Sequence, residues 1–99
     1  MKNNYLNIVG LAFRARKCVT GEDLIIQHIR DNRAKLLLIA NDISEQTKKK
    51  LTDKCKTYDV PYIEVGDRKT LGNAIGKSER VAIAITDVGF KNKLQSLLQ

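Results

Sequence analysis

The sequence predicts an α/β protein, a three-layer α/β/α sandwich around a mixed, largely parallel central sheet. Three observations predict it. Segments of helical period alternate with short apolar runs. Two of those runs, Ala34-Lys35-Leu36-Leu37-Leu38-Ile39-Ala40 and Val81-Ala82-Ile83-Ala84-Ile85-Thr86, are almost continuously apolar, the pattern of strands covered on both faces. And 99 residues, 42% apolar and 29% charged, suffice for one core but not for two. No repeat, linker or low-complexity stretch divides the chain, so residues 1–99 are read as a single domain.

Residues 4–14 place Tyr5, Val9, Ala12 and Phe13 on one helical face, with Leu6 and Ile8 beside them and Asn3 or Asn4 as the cap. Lys17-Cys18-Val19 alternates polar and apolar and reads as a short edge strand. Thr20 is of N-cap type for a helix over 21–32, and Asp23 is placed to reach back to it. That helix keeps its period through Ile25, Ile26, His28 and Ile29. His28 has no evident partner and reads as a helix-face residue rather than a general base. Two uses of this helix start stay open. Its free N–H groups and positive dipole end suit an anion such as phosphate. Alternatively, Glu22 and Asp23 neutralise their own helix end, which the local pattern favours.

After the 34–40 strand, Asn41-Asp42 ends the run and offers caps for a charged helix at 44–58. Thr47, Leu51, Cys55 and Tyr58 line its inner side; Lys48-Lys49-Lys50, Lys54 and Lys56 look outward, a solvated face rather than a nucleic-acid contact. Residues 60–65 form the next strand, with Pro61 tolerable only near its start. A short helix follows an Asp67 cap, carries Leu71, Ala74 and Ile75, and ends at Gly76. Gly72 inside it costs about 1 kcal/mol relative to Ala, and close packing against the sheet is the expected reason. The last helix, roughly 88–98, turns Phe90, Leu94 and Leu97 or Leu98 inward.

Composition narrows the function. The net charge of +7 is uneven: residues 1–21 carry Lys2, Arg14, Arg16 and Lys17 with no acid, whereas 51–99 hold 8 basic and 6 acidic residues. A basic excess near one segment suggests a polyanion partner, nucleic acid first. Five aromatics are too few for a base-stacking platform. Cys18, Cys55 and the single His28 lack the paired spacing of a zinc site, so no metal is expected and the thiols are read as free. No apolar run approaches the roughly 20 residues of a membrane span. The N-terminus lacks the apolar core of a signal peptide, which leads us to expect a cytoplasmic protein.

Catalytic patterns are missing. Gly72-Asn73-Ala74-Ile75-Gly76 lies within a helix rather than at a strand-to-helix turn, so it is no dinucleotide fingerprint. No phosphate loop, nucleophile elbow or serine triad spacing occurs. Asp42 and Asp87 sit at strand ends, where α/β enzymes hold catalytic groups, but helix capping explains both more economically. We therefore expect no enzyme and no cofactor.

Several short motifs occur together in order. Leu71-Gly72-Asn73-Ala74-Ile75-Gly76, a polar loop, then Val81-Ala82-Ile83-Ala84-Ile85-Thr86-Asp87 resembles the pattern of the kink-turn-binding ribosomal protein family. Ala34-Lys35-Leu36 to Asp42 is similar to that family's central strand, and Pro61-Tyr62 to the strand opening its second half. Gly10-Leu11-Ala12-Phe13-Arg14-Ala15-Arg16-Lys17 with the Thr20-Gly21 turn resembles its small bacterial YlxQ-like branch. The resemblance spans nearly the whole chain. It implies the α/β/α sandwich and binding of structured RNA, commonly near or within the ribosome.

In the family's kink-turn readers a Gly-Thr-Asn-Glu run opens the second helix and a lysine follows one turn later. Base-edge contacts there specify the RNA, whereas cations on the backbone position it. Here Gly21 matches, while Glu22, Asp23, Leu24 and Gln27 stand at the threonine, asparagine, glutamate and lysine positions. Leu24 accepts no hydrogen bond, ionised Asp23 donates none, and Gln27 lacks the charge. The loop before the last strand, apolar in the family, is Lys77-Ser78-Glu79-Arg80. The resemblance thus implies backbone-dominated RNA contact through Arg14, Arg16, Lys17, Thr20, Gly21, Asp23, Gln27, Lys77 and Arg80. The alternative is a protein-interaction module that kept the fold and lost the RNA.

Overall fold

The computed structural model describes residues 5–99, in which helices and strands alternate as the hydrophobic periods require. In chain order they are α1 (Tyr5–Arg14), β1 (Cys18–Thr20), α2 (Glu22–Arg30), β2 (Leu36–Ile39), α3 (Glu45–Thr57), β3 (Tyr62–Glu64), α4 (Arg68–Ala74), β4 (Ala82–Ile85) and α5 (Val88–Leu98). The expected cap at Asn3 or Asn4 lies outside the described residues.

The sheet order is β1-β4-β2-β3. The expected mixed sandwich is present, but its sheet is not largely parallel by pairing. Only β2 and β3 pair parallel, while β4 runs antiparallel to both β1 and β2. Three strands share one direction, yet the reversed one lies between them. Direction was invisible in the sequence because β4 is covered on both faces, and an apolar run so covered reads alike whichever way it runs.

Alternation along each strand sends side chains to two cores. Leu36, Leu38, Ile83 and Ile85 pack with Val9, Ala12, Leu71, Ile75 and Leu94 on the α1/α4/α5 side. Leu37, Ile39, Ala82 and Ala84 pack with Ile25, Ile26, Ile29, Leu51 and Cys55 on the α2/α3 side. Each fully buried Leu or Ile contributes about 1.5–3 kcal/mol. Tyr58, expected inward, is exposed, because α3 ends at Thr57 and the helical period stops with it. Thr52 is buried instead. On α5, Leu98 rather than Leu97 packs inward.

The helix starts tie the ends of the sheet together. Ser44, not Asn41 or Asp42, caps α3, its Oγ accepting from Thr47 N–H at 3.1 Å. Asp67 caps α4 through Thr70 N–H at 2.7 Å, and these Thr70 hydrogen bonds hold the carboxyl below the usual range. Asp87 caps α5 through Phe90 N–H at 2.9 Å. Asp42 reaches forward to α4, where its carboxylate accepts from Arg68 N–H at 2.9 Å and lies 3.4 Å from Arg68 Nε.

Gly72 is close-packed, but against a loop rather than the sheet. A Cβ there would stand 1.7 Å from Ser78 O and 3.1 Å from Glu79 Cα. Only a glycine lets the chain cross α4 so closely on its way into β4.

Candidate nucleic-acid interface

Call the end of the sheet where β1, β2 and β3 finish and β4 begins the upper end. Thr20 pairs with Ile83, so the β1–α2 turn and the 77–80 loop share that end. The expected Thr20 cap is not formed. Thr20 is the last residue of β1, and Gly21 occupies the cap position at φ 93°, where only glycine sits without strain. The first α2 bond runs from Ile25 N–H to Gly21 O at 2.9 Å. No side chain accepts a hydrogen bond from this helix start. Asp23 does not reach back to it, and Glu22 is engaged elsewhere, its Oε2 lying 2.7 Å from Lys50 Nζ. That bond and the Glu22 charge raise the Lys50 ammonium above its usual range. Of the two acids read as neutralising this helix end, Glu22 is thus paired to α3 instead.

Asp23 and Gln27 line a groove between α2 and α3 together with Ile26, Arg30, Asp31, Lys50 and Lys54. Arg30, Lys50 and Lys54 were not among the candidates read from sequence. Arg30 could have been found one turn beyond Gln27 on the same helix. Lys50 and Lys54 share an i, i+4 face of α3, but nothing in the sequence says that this face meets α2. The rest of the lysine run is occupied: Lys48 pairs with Glu64 at 2.9 Å and Lys49 with Asp53 at 3.0 Å. Leu24 is 44% exposed, a large apolar side chain in water at the helix start.

The 77–80 loop is held by α4. Arg68 O accepts from Arg80 N–H at 3.1 Å, and Gly72 O accepts from Lys77 N–H at 2.8 Å. Arg68 also places its guanidinium 3.6 Å from Glu79, so it links the 77–80 loop to Asp42. Lys77 does not point at Gly21; its ammonium sits 5.7 Å from the centroid of the Phe13 ring, against the last turn of α1. Arg14, in the same turn, lines a groove with Gly10, Leu11, Asn73 and Ala74 between α1 and α4.

Arg16 and Lys17 lie elsewhere. They precede β1, and Lys17 O accepts from Thr86 N–H at 2.8 Å, at the lower end of the sheet where β4 finishes. Of the nine candidates, Thr20, Gly21, Asp23 and Arg80 gather at the upper end, and Gln27 lies farther along α2 in the groove with Arg30. Lys77 and Arg14 lie on the α1–α4 flank, and Arg16 and Lys17 at the far end of β1. The single cluster expected around Gly21 is therefore divided, because β1 carries the chain away from its basic lead-in before Gly21 turns it. The same reversal parts Asp42 from Asp87. With β4 antiparallel to β2, the two carboxylates finish at opposite ends, Asp42 accepting from Arg68 N–H at the start of α4 and Asp87 capping α5.

Among the described residues no helix is long and apolar enough to cross a membrane. Residues 4–95 match the ribosomal protein L7Ae/L30e/S12e/Gadd45 family. The chain is 58% identical over 91 residues to the RNA-binding protein YlxQ of Bacillus subtilis, covering 92% of this chain and 91% of that one. It is 30% identical over 90 residues to the large ribosomal subunit protein eL8 of Thermoplasma volcanium, covering 90% and 74%. A solved structure of a Bacillus halodurans protein of unknown function superposes with a TM-score of 0.94 at 42% identity, covering 98% of both chains. The Giardia lamblia 15.5kD RNA binding protein shares the fold at a TM-score of 0.76 and 21% identity, covering 93% and 85%.

Proposed function

The chain belongs to the ribosomal protein L7Ae/L30e/S12e/Gadd45 family, and we propose that it binds structured RNA of the translation machinery without catalysing a reaction on it. The observation that carries this reading is the α2 start: a left-handed Gly21, no side-chain cap, and Glu22 withdrawn into an ion pair with Lys50. Free N–H groups at a positive helix end receive a phosphate oxygen there; Arg80 shares that end of the sheet, and Lys54 and Arg30 continue the positive charge along the α2–α3 groove. Recognition is by shape and backbone. Leu24 and Asp23 cannot copy the donors and acceptors that read sheared G·A pairs.

Titration of a folded ribosomal RNA fragment at several salt concentrations tests the reading. Binding should weaken linearly in log K against log salt, as phosphate contacts require. A kink-turn RNA should bind no better than a duplex lacking its G·A pairs. Absence of binding at low salt ends the proposal. The exposed Leu24 favours one competitor, a protein-interaction module that retains the fold without the RNA. A single stoichiometric protein partner retained from nuclease-treated lysate, and lost in Leu24→Glu, would decide for it.

A further inference from the structure

The cations that the register removes from Gly21 are not scattered. Arg16 shares a cleft at the lower end of the sheet with Arg33 and Lys35, alongside Val19, His28, Asn32 and Thr86. Two left-handed residues shape it: Arg16 turns α1 into β1 and Asn32 turns α2 towards β2, each at φ 60°. The two turns thereby deliver their arginines to one place from residues far apart in sequence.

No carboxylate lines this cleft. All five ion pairs among the described residues lie elsewhere and involve only Lys48, Lys49, Lys50 and Arg68 as cations. Arg16, Arg33 and Lys35 thus keep their charge uncompensated, Lys35 steadied by donating from Nζ to Asn32 O at 3.0 Å. The neutral groups between them are equally telling. His28 places Nδ1 2.9 Å from Leu24 O, which leaves Nε2 for another partner. The Asn32 amide and the Thr86 hydroxyl add both donors and acceptors. Three cations for phosphate oxygens, interleaved with groups that suit a 2′-hydroxyl, match the sugar-phosphate edge of RNA. An acidic peptide offers carboxylates to the cations but no 2′-hydroxyl.

We propose that this lower cleft is a second RNA-backbone contact, so that one RNA engages the protein at both ends of the sheet, past the edge strand β1. The proposal rests on the RNA-binding reading above.

Its test compares the intact protein with two variants on a folded ribosomal RNA domain. The lower variant is Arg16→Asn with Arg33→Gln and Lys35→Gln, asparagine being chosen because it tolerates the left-handed turn. The upper variant is Arg80→Gln. The lower variant should bind more weakly, and its slope of log K against log salt should be shallower by about 2–3, the share of three phosphates. Unchanged affinity and slope in the lower variant, with loss in the upper, overturn this inference alone. Failure of the intact protein to bind at low salt overturns the RNA-binding reading itself. A lower variant that loses polyglutamate binding but keeps its RNA affinity assigns the cleft to an acidic protein and also overturns the proposal. One readout needs no variant: RNA should protect Lys35 of the intact protein from acetylation while Lys93 on α5 stays reactive. An unprotected Lys35 refutes it.

Discussion

Alanine is the better helix former at position 72 by about 1 kcal/mol, yet Gly72→Ala should destabilise the protein by about 2–3 kcal/mol. The added Cβ would lie 1.7 Å from Ser78 O and 2.5 Å from Ser78 C, where carbon contacts need about 3.5 Å or more. The obstacle is backbone, so no rotamer change relieves it, and the 77–80 loop must lift from α4. Overpacking of this kind costs about 1–3 kcal/mol. Lifting the loop also strains the bonds from Lys77 N–H to Gly72 O and from Arg80 N–H to Arg68 O, each contributing about 1 kcal/mol net. With overpacking taken at its middle value of about 2 kcal/mol, a partial loss of about 1–2 from the two bonds and the propensity gain of about 1 subtracted, about 2–3 kcal/mol remains. Urea unfolding should show a lower midpoint at unchanged m-value, with Tm down by roughly 10–20 °C. A midpoint equal to or above that of the parent would refute the close crossing and the account of why a glycine stands in this helix.

Arg16→Gly should act in the opposite sense on stability. Left-handed backbone costs an L-residue about 1–2 kcal/mol, and the extra unfolded-state freedom of glycine returns about 0.4–1. A net gain near 0.5–1 kcal/mol in urea should accompany weaker RNA binding; lower stability, or undiminished binding, contradicts the roles given to this turn. Asp67→Ser keeps a capping oxygen but removes a carboxylate whose pKa is depressed on folding. A depressed pKa stabilises above the unfolded value, 3.8, and loses that contribution as pH falls through the folded one. The stability difference between parent and variant should therefore narrow below about pH 4, and a difference constant from pH 6 to 2.5 would exclude the linkage. Burial pushes both thiols, Cys18 and Cys55, up to about 11. At pH 8 their thiolate fraction is then roughly a hundredfold below that of a free cysteine, so an aromatic disulfide reagent should label them slowly until urea is added.

Much of this architecture was legible because periodicity reports burial directly. The strands at 34–40 and 81–86, the caps Asp67 and Asp87, and the helix faces built on Val9, Ile25, Ile29 and Leu94 all follow from spacing and residue type. What stayed hidden depends on partners distant in sequence. Nothing local to Asp42 says that its acceptor role is spent on Arg68, or that Glu22 is drawn off by Lys50. Thr20 has the chemistry of a cap, but its pairing with Ile83 keeps it in the strand and moves the cap to Gly21. The candidate site suffered most. Arg14, Arg16 and Lys17 are close to Gly21 along the chain, but β1 intervenes and separates them from it in space. The two arginines of the lower cleft, Arg16 and Arg33, look unrelated until two turns meet.

The placement of β4 also governs when this chain can become a protein during synthesis. Cys18 must wait for Ile85, and Leu37 for Ala84, because the strand that joins them is the last to be made. Until then β1 has no neighbour, and β2, all four of whose residues are destined for burial, offers β4's side as a bare apolar edge. Such an edge invites pairing with another nascent chain. A ribosome stalled before residue 82 would therefore hold a sticky intermediate rather than a smaller version of the fold. Release of the segment 82–85 closes the sheet, and both ends of the proposed RNA contact come into being in the same step.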